Sequence, residues 1–232
     1  MARLARIVVP DVPHHVTQRG NRRMAIFSEA SDYELYRDLL AERLAFYGVV
    51  CSAYCLMPNH VHLLLTPTRR DVADAGASLS RSVGEAHRRY TAFVNARART
   101  TGHLFQGRFG CSAMDEAHWL AAVRYLAFNP VRAGLCERPE DWPWSSVRAH
   151  LNARDDGLVD VSKVLAVAPR FADLLAPSCV EAQPDEVFEP LAVSGRPLGD
   201  AAFVARIEAQ IGRSLARGRP GPKPRDGKAQ AG

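Results

Sequence analysis

The chain has 232 residues, 47% of them hydrophobic and 24% charged. That is an ordinary globular composition with length enough to bury a sizeable core, so a disulfide-stapled miniprotein, a fibrous repeat and a wholly disordered chain are excluded. No stretch approaches the ~18 consecutive apolar residues of a membrane span, and the apolar run before Pro10 is too short for the ~7–15-residue core of a signal peptide; a cytoplasmic location is expected.

Charge is distributed unevenly. The formal net charge is +5, the pI is about 9.1, and all but three of the 30 basic residues are arginine, the side chain that grips phosphate bidentately. A polyanionic partner is therefore expected. Residues 69–108 carry eight arginines against Asp71, Asp74 and Glu85, and residues 212–232 carry six basic residues against Asp226. Residues 137–189 reverse the sign, with eleven acids against five bases. The five cysteines (Cys51, Cys55, Cys111, Cys136 and Cys179) are odd in number, lack metal-site spacing and read as reduced thiols.

In chain order, residues 14–19 (HHVTQR) are rich in strand formers. Ser31 reads as a helix N-cap, apolar residues follow at helical spacing from Tyr33 to Phe46, and Gly48 ends the helix. Residues 49–57 read as a strand, Pro58-Asn59 as a turn and residues 60–66 as a second, antiparallel strand. A long helix is expected over 72–95, a loop or short strand over 102–109, and a helix over 115–128 stopped by Asn129-Pro130. This order predicts an α+β fold: an antiparallel sheet of ferredoxin-like connectivity with helices packed on it. The expected division is a domain over 1–150, a loosely packed acidic extension over 151–195 with one helical piece near 161–175, and a short helix plus basic Arg/Pro/Gly tail over 196–232.

Four groups of residues carry chemistry. His60 and His62 alternate on a strand, so both imidazoles project from one face while Val61 points into the core. Two neutral imidazoles form part of a divalent-metal clamp, or merely a polar strand face. Tyr125 and Asn129 lie one helical turn apart on one face, where they offer a nucleophile and a metal ligand, or a core tyrosine and a helix cap. Gln18, Arg19, Asn21, Arg22 and Arg23 surround Gly20, which permits an unusual backbone, and are suited to contact phosphates and base edges. Arg88, Arg89 and Arg108, with Arg97 and Arg99 nearby, are interleaved with Tyr90, Phe93, Phe105 and Phe109, a pattern that suits single-stranded nucleic acid, or a solvated helix face over core aromatics. Tyr90 competes as nucleophile, but Val94 stands where its amide partner would be. The remaining histidines, His14, His15, His87, His103, His118 and His150, form no further ligand motif.

Taken together, QRGNRR, YCLMPNHVHLLL, HRRYTAFVN, LFQGRF and YLAFNPVRAGL over residues 5–150 resemble the REP-associated tyrosine transposases, within the single-tyrosine HUH endonucleases of the insertion-sequence class. The resemblance implies Tyr125 as nucleophile and His60, His62 and Asn129 as ligands of Mg²⁺ or Mn²⁺. It implies a single-stranded DNA substrate beside a REP-like hairpin, cleaved and rejoined through a 5′-phosphotyrosine linkage by a monomer or a homodimer. The DNA would be held by the Arg19–Arg23 region and the Arg-rich helix. The residues beyond 150 depart from compact members. There, Arg217-Gly218-Arg219-Pro220 resembles an AT-hook core, which would place Arg219 in the minor groove of A·T-rich duplex. The alternative is a hairpin-binding regulator derived from a transposase that no longer cuts DNA.

Overall fold

The computed structural model describes residues 6–68, 71–176 and 195–215. Four strands, β1 (His14–Arg19), β2 (Val49–Met57), β3 (His60–Pro67) and β4 (Gly110–Ala113), form one antiparallel sheet in the order β2-β3-β1-β4. Helix α1 (Ala30–Tyr47) joins β1 to β2, and α2 (Val72–Ala98) joins β3 to β4. Helix α3 (Glu116–Arg132) follows β4. This is the ferredoxin-like connectivity expected from the order of the elements.

Alternation along the strands divides the interior into two cores. Val16, Val61, Leu63 and Leu65 face α1 and α2, where they meet Tyr36, Leu40, Leu79, Val83 and Tyr90. Cys55, Met57 and Leu64 face the other way, toward Trp119, Val123, Tyr125 and Leu126 of α3. A register shift between Cys51 and Ala53 bulges β2. The bulged Ser52 uses its hydroxyl to receive the Trp119 indole N–H at 3.0 Å, which fixes α3 to the sheet.

Helix boundaries differ from the sequence reading in two places. The N-cap of α1 is Glu29, not Ser31: Glu29 and Asp32 form a reciprocal capping box, and Asp32 accepts from the Ser28 N–H at 2.7 Å. Gly48 does end the helix, in the left-handed conformation at φ 65°. In α3, Asn129-Pro130 does not stop the helix. Hydrogen bonding resumes beyond the ring, from the Ala133 N–H to the Asn129 carbonyl at 3.0 Å, because a proline in the last turn costs only the one bond its missing N–H would have made. Residues 102–109 are irregular, bridged to Gly20 at Phe105, and the edge strand begins only at Gly110.

The described part of the extension is packed. The segment before it docks along β2, with the Leu56 N–H donating to the Trp144 carbonyl at 2.8 Å and Trp144 stacked on Tyr33 at 4.5 Å. Helix α4 (Val147–Leu151) follows. Leu158, Val159 and Val161 enter the first core, while Val164 and Phe171 enter the second. The expected helical piece is two short helices, α5 (Ser162–Val167) and α6 (Phe171–Leu174). Asp156 accepts from the Tyr54 hydroxyl at 2.5 Å. Helix α7 (Ala201–Ile211) covers β4 through Phe203 and Ile207.

The fully buried Asp32 carboxylate also takes two hydrogen bonds from Arg97 of α2, at 2.6 and 2.9 Å. Burial pushes its pKa up, but the Arg97 hydrogen bonds and the Ser28 and Glu29 N–H groups outweigh burial and hold it below the usual carboxylate value. Its stabilising contribution is thus complete above pH ~4 and lost as pH falls through the depressed folded value. Asp32→Ala is expected to cost about 2–4 kcal/mol in urea melts at pH 7, and to flatten the acid limb of the stability profile below pH ~4.

Candidate active site

His60 and His62 project from the α3 face of β3, with ring centroids 4.9 Å apart. Tyr125 descends onto them from α3, its ring perpendicular to His62 at 5.5 Å. Asn129 stands one turn further on. Tyr125 is 2% exposed and Asn129 9%. Arg132 closes the group: its guanidinium lies over the Tyr125 ring at 4.7 Å and donates to the Tyr125 carbonyl at 2.7 Å and to Asn129 Oδ1 at 3.2 Å. Among the four residues the sequence singled out here, two buried atoms have no hydrogen-bond partner, His62 Nε2 and Asn129 Nδ2.

The sequence reading missed two members of this group. His15, set aside as belonging to no motif, shares the face: its Nε2 lies 3.0 Å from His62 Nδ1, and the two rings stack at 5.2 Å. Residues 15 and 62 are neighbours only through the register of β1 on β3, which pairs Thr17 with His62 and His15 with Leu64. Asn59, read only as a turn residue, places its Oδ1 2.6 Å from His60 Nδ1 and donates from Nδ2 to the Arg23 carbonyl at 3.3 Å.

All three imidazoles are held neutral. Burial, then the charge of Arg19, lowers His60 to about 4; burial lowers His15 to about 4. His62 lies well below its usual value, first through burial, then through His15, His60, Arg19 and Arg132. Neutral imidazole is the metal-ligating form. Both ligand candidates have Nδ1 engaged, which leaves Nε2 of each for a cation. Among the described residues no cluster of three His, Cys, Asp or Glu could hold a metal, so a third described donor beside His60 and His62 would be of another residue type. Asn129, one turn beyond Tyr125 on α3, has its oxygen on Arg132, and its unpartnered atom, Nδ2, is a donor. Ligation by Asn129 would use the second lone pair of that oxygen, or a turn of the amide that breaks its bond to Arg132.

The sequence model of the family described as "Transposase IS200 like" matches residues 8–129. The chain belongs to the IS200-like transposase family. A Haemophilus influenzae protein bearing the name REP-associated tyrosine transposase is 25% identical over 125 residues, 51% of this chain and 70% of that one. A solved structure described as a REP-associated tyrosine transposase bound to a REP hairpin aligns with a TM-score of 0.56 at 20% identity, over 69% of this chain and 90% of that one. That likeness supports the transposase fold.

The remaining residues singled out in this transposase separate by face. Arg19 lies beside the histidines, paired in register with His60. Gln18, its neighbour, points to the opposite face of the sheet, where it lines a cleft of about 400 Å³ with Arg6, His87, Arg88, Phe105, Arg108 and others. Gln18 is 4% exposed, donates from Nε2 to the Arg19 and Gln106 carbonyls, and leaves Oε1 without a partner. Arg89 turns away from the cleft to Glu42 at 2.6 Å, and Arg97 is committed to Asp32. Tyr90 is buried in the first core with its hydroxyl donating to the Ile26 carbonyl at 2.6 Å. Arg219 lies outside the described residues.

Asn21, Arg22 and Arg23 form an exposed turn beside the site, with Arg22 and Arg23 in the left-handed region at φ 53° and 61°. Gly20 itself has an ordinary extended backbone, contrary to the sequence reading; what it supplies is space, because a Cβ there would lie 2.2 Å from the Met24 carbonyl oxygen. Gly20→Ala must displace the turn, at an expected cost of about 1–3 kcal/mol measured by denaturant unfolding. For the cleft, Arg88→Ala and Arg108→Ala are each expected to weaken binding of a single-stranded oligonucleotide and to lower the salt slope by about 1, by fluorescence anisotropy. Arg89→Ala is expected to leave both unchanged.

Proposed function

We propose that this transposase is a metal-dependent endonuclease that cuts and rejoins single-stranded DNA beside a REP-like hairpin, with Tyr125 as nucleophile. The observation that carries this reading is the packing of Tyr125 on His62, beside His60 and with Asn129 one turn further along the same helix, from two elements more than sixty residues apart. The donor set fits a divalent cation such as Mg²⁺ or Mn²⁺: His60 and His62 through Nε2, and Asn129 through its amide oxygen, which has a second lone pair beside the one Arg132 takes. Such a cation supplies Lewis-acid polarisation of the scissile phosphate.

The chain's own residues supply the rest. The Tyr125 hydroxyl forms the new O–P bond as the P–O3′ bond breaks; the phenolic proton is lost and the departing 3′ oxygen gains one. One phosphodiester replaces another, so rejoining by a 3′-hydroxyl needs no nucleotide cofactor. Arg132 lies against the phenol, where it favours the charge that develops as the proton leaves, and an arriving phosphate competes with Asn129 for it. Arg19 and the Asn21–Arg23 turn are proposed to hold backbone beside the cut. Gln18, Arg88 and Arg108 hold it on the far face, and Arg219 adds duplex contact from the tail. The hairpin follows from the relatives, one of which is described as bound to a REP hairpin.

A second reading, a DNA-binding regulator that does not cut, is favoured by one observation: Tyr125 is closed off from solvent. Incubation with Mn²⁺ and 3′-end-labelled single-stranded hairpin DNA separates the two. A labelled covalent band at protein mass after denaturing electrophoresis is expected, abolished in Tyr125→Phe, reduced at least 100-fold in His60→Ala and His62→Ala, and retained in Tyr90→Phe. Tight binding without a band in the native chain would establish the regulator.

A further inference from the structure

We propose that His15 is a positioning residue that fixes the ring orientation and tautomer of His62, so that His62 Nε2 is a lone pair aimed at the metal. The inference rests on the metal reading given above and extends it to a histidine outside the HxH pair. Three observations carry it.

The first is a hydrogen-bond inventory. A neutral imidazole has one N–H donor and one acceptor nitrogen. His60 Nδ1 faces the Asn59 amide oxygen at 2.6 Å, so it carries the hydrogen and Nε2 is the acceptor. His62 has no carbonyl at Nδ1; it has His15 Nε2 at 3.0 Å. His62 Nε2 is buried without a partner. If the hydrogen sat on Nε2, a buried donor would be left unsatisfied. With the hydrogen on Nδ1, donated to His15 Nε2, the unpartnered atom is instead a lone pair, which a cation can fill, and the two ligands present the same nitrogen.

The second is placement. His15 is fully buried on a central strand, and its ring is fixed from two sides, stacked on His62 at 15° between planes and edge-on to Tyr125 at 6.1 Å. One ring therefore touches both the candidate ligand and the candidate nucleophile. The third is exclusion. His15 Nε2 is spent on His62 Nδ1, on the side of that ring away from Nε2, so His15 does not join the donor set itself. Outer partners of ligating histidines tune affinity by about 10–100-fold.

Two measurements on the full-length chain test this. Long-range ¹H–¹⁵N NMR of the metal-free protein is expected to show His62 protonated at Nδ1 and unprotonated at Nε2, and His15 unprotonated at Nε2. A hydrogen on His62 Nε2 would overturn the assignment without any variant. Mn²⁺ titration followed by EPR is expected to show a Kd raised about 10–100-fold in His15→Phe, which keeps a ring but no nitrogen. His15→Gln, whose amide oxygen can accept from Nδ1, should recover most of that loss. A purely structural role would lower the melting temperature of His15→Phe while its folded fraction bound Mn²⁺ as the native chain does, and that result sinks the proposal. If the native chain binds no Mn²⁺, or His62→Ala binds it undiminished, the metal reading fails and this inference falls with it.

Discussion

The pairing of β1 with β3 decides where everything else stands. Its register sets Thr17 against His62 and Arg19 against His60. Because side chains alternate, the same pairing sends Val16, Val61 and Leu63 into the core under α1 and α2. A slip of one residue would bury the histidines among leucines and turn the leucines toward Tyr125. Apolar burial on one face thus enforces the polar arrangement on the other. The Ser52 bulge performs a related task in β2, returning Cys55 to the histidine face while Tyr54 stays with the opposite core.

How much of this was legible in the sequence depended on the range of the interaction. His60 and His62 followed from strand alternation, and Tyr125 with Asn129 from helical spacing; both are rules about residues two to four apart. His15 could not be found that way, because its partner lies 47 residues on and only strand register brings them together. A closer look at HHVTQR as a half-buried strand would have asked what its buried imidazoles face. Local chemistry also misled. Ser31 is the better N-cap by type, yet Glu29 takes the position because Asp32 answers it and is itself clamped by Arg97 from α2. The arginine run Arg88-Arg89 looked uniform in sequence, but successive helical residues point some 100° apart, so Arg88 lines the cleft and Arg89 meets Glu42.

The acidic segment has a structural use that composition hid. Asp156 takes the Tyr54 hydroxyl and receives the Leu158 and Val159 N–H groups, at 3.0 and 2.9 Å, so part of the negative charge after residue 150 is spent turning the chain back onto the sheet. Arg124 of α3 donates to the Leu174 carbonyl, and Met114 bridges to Leu198. The helix that carries Tyr125 is therefore held from the sheet side by Ser52 and from the outer side by residues far along the chain. Movement of that helix to expose the phenol would have to loosen both attachments.

Gln18 and Arg19 are consecutive, yet they point to opposite faces of the sheet, one into the basic cleft and the other beside the histidines. Between the two faces, at the end of β1, lie the Asn21–Arg23 turn and the 102–107 loop, tied together through the Asn21 and Gln106 N–H groups. That edge is built of backbone fixed by hydrogen bonds to β1. On the function proposed above, the spacing between a gripped and a severed position would then be gauged by that edge as by a caliper.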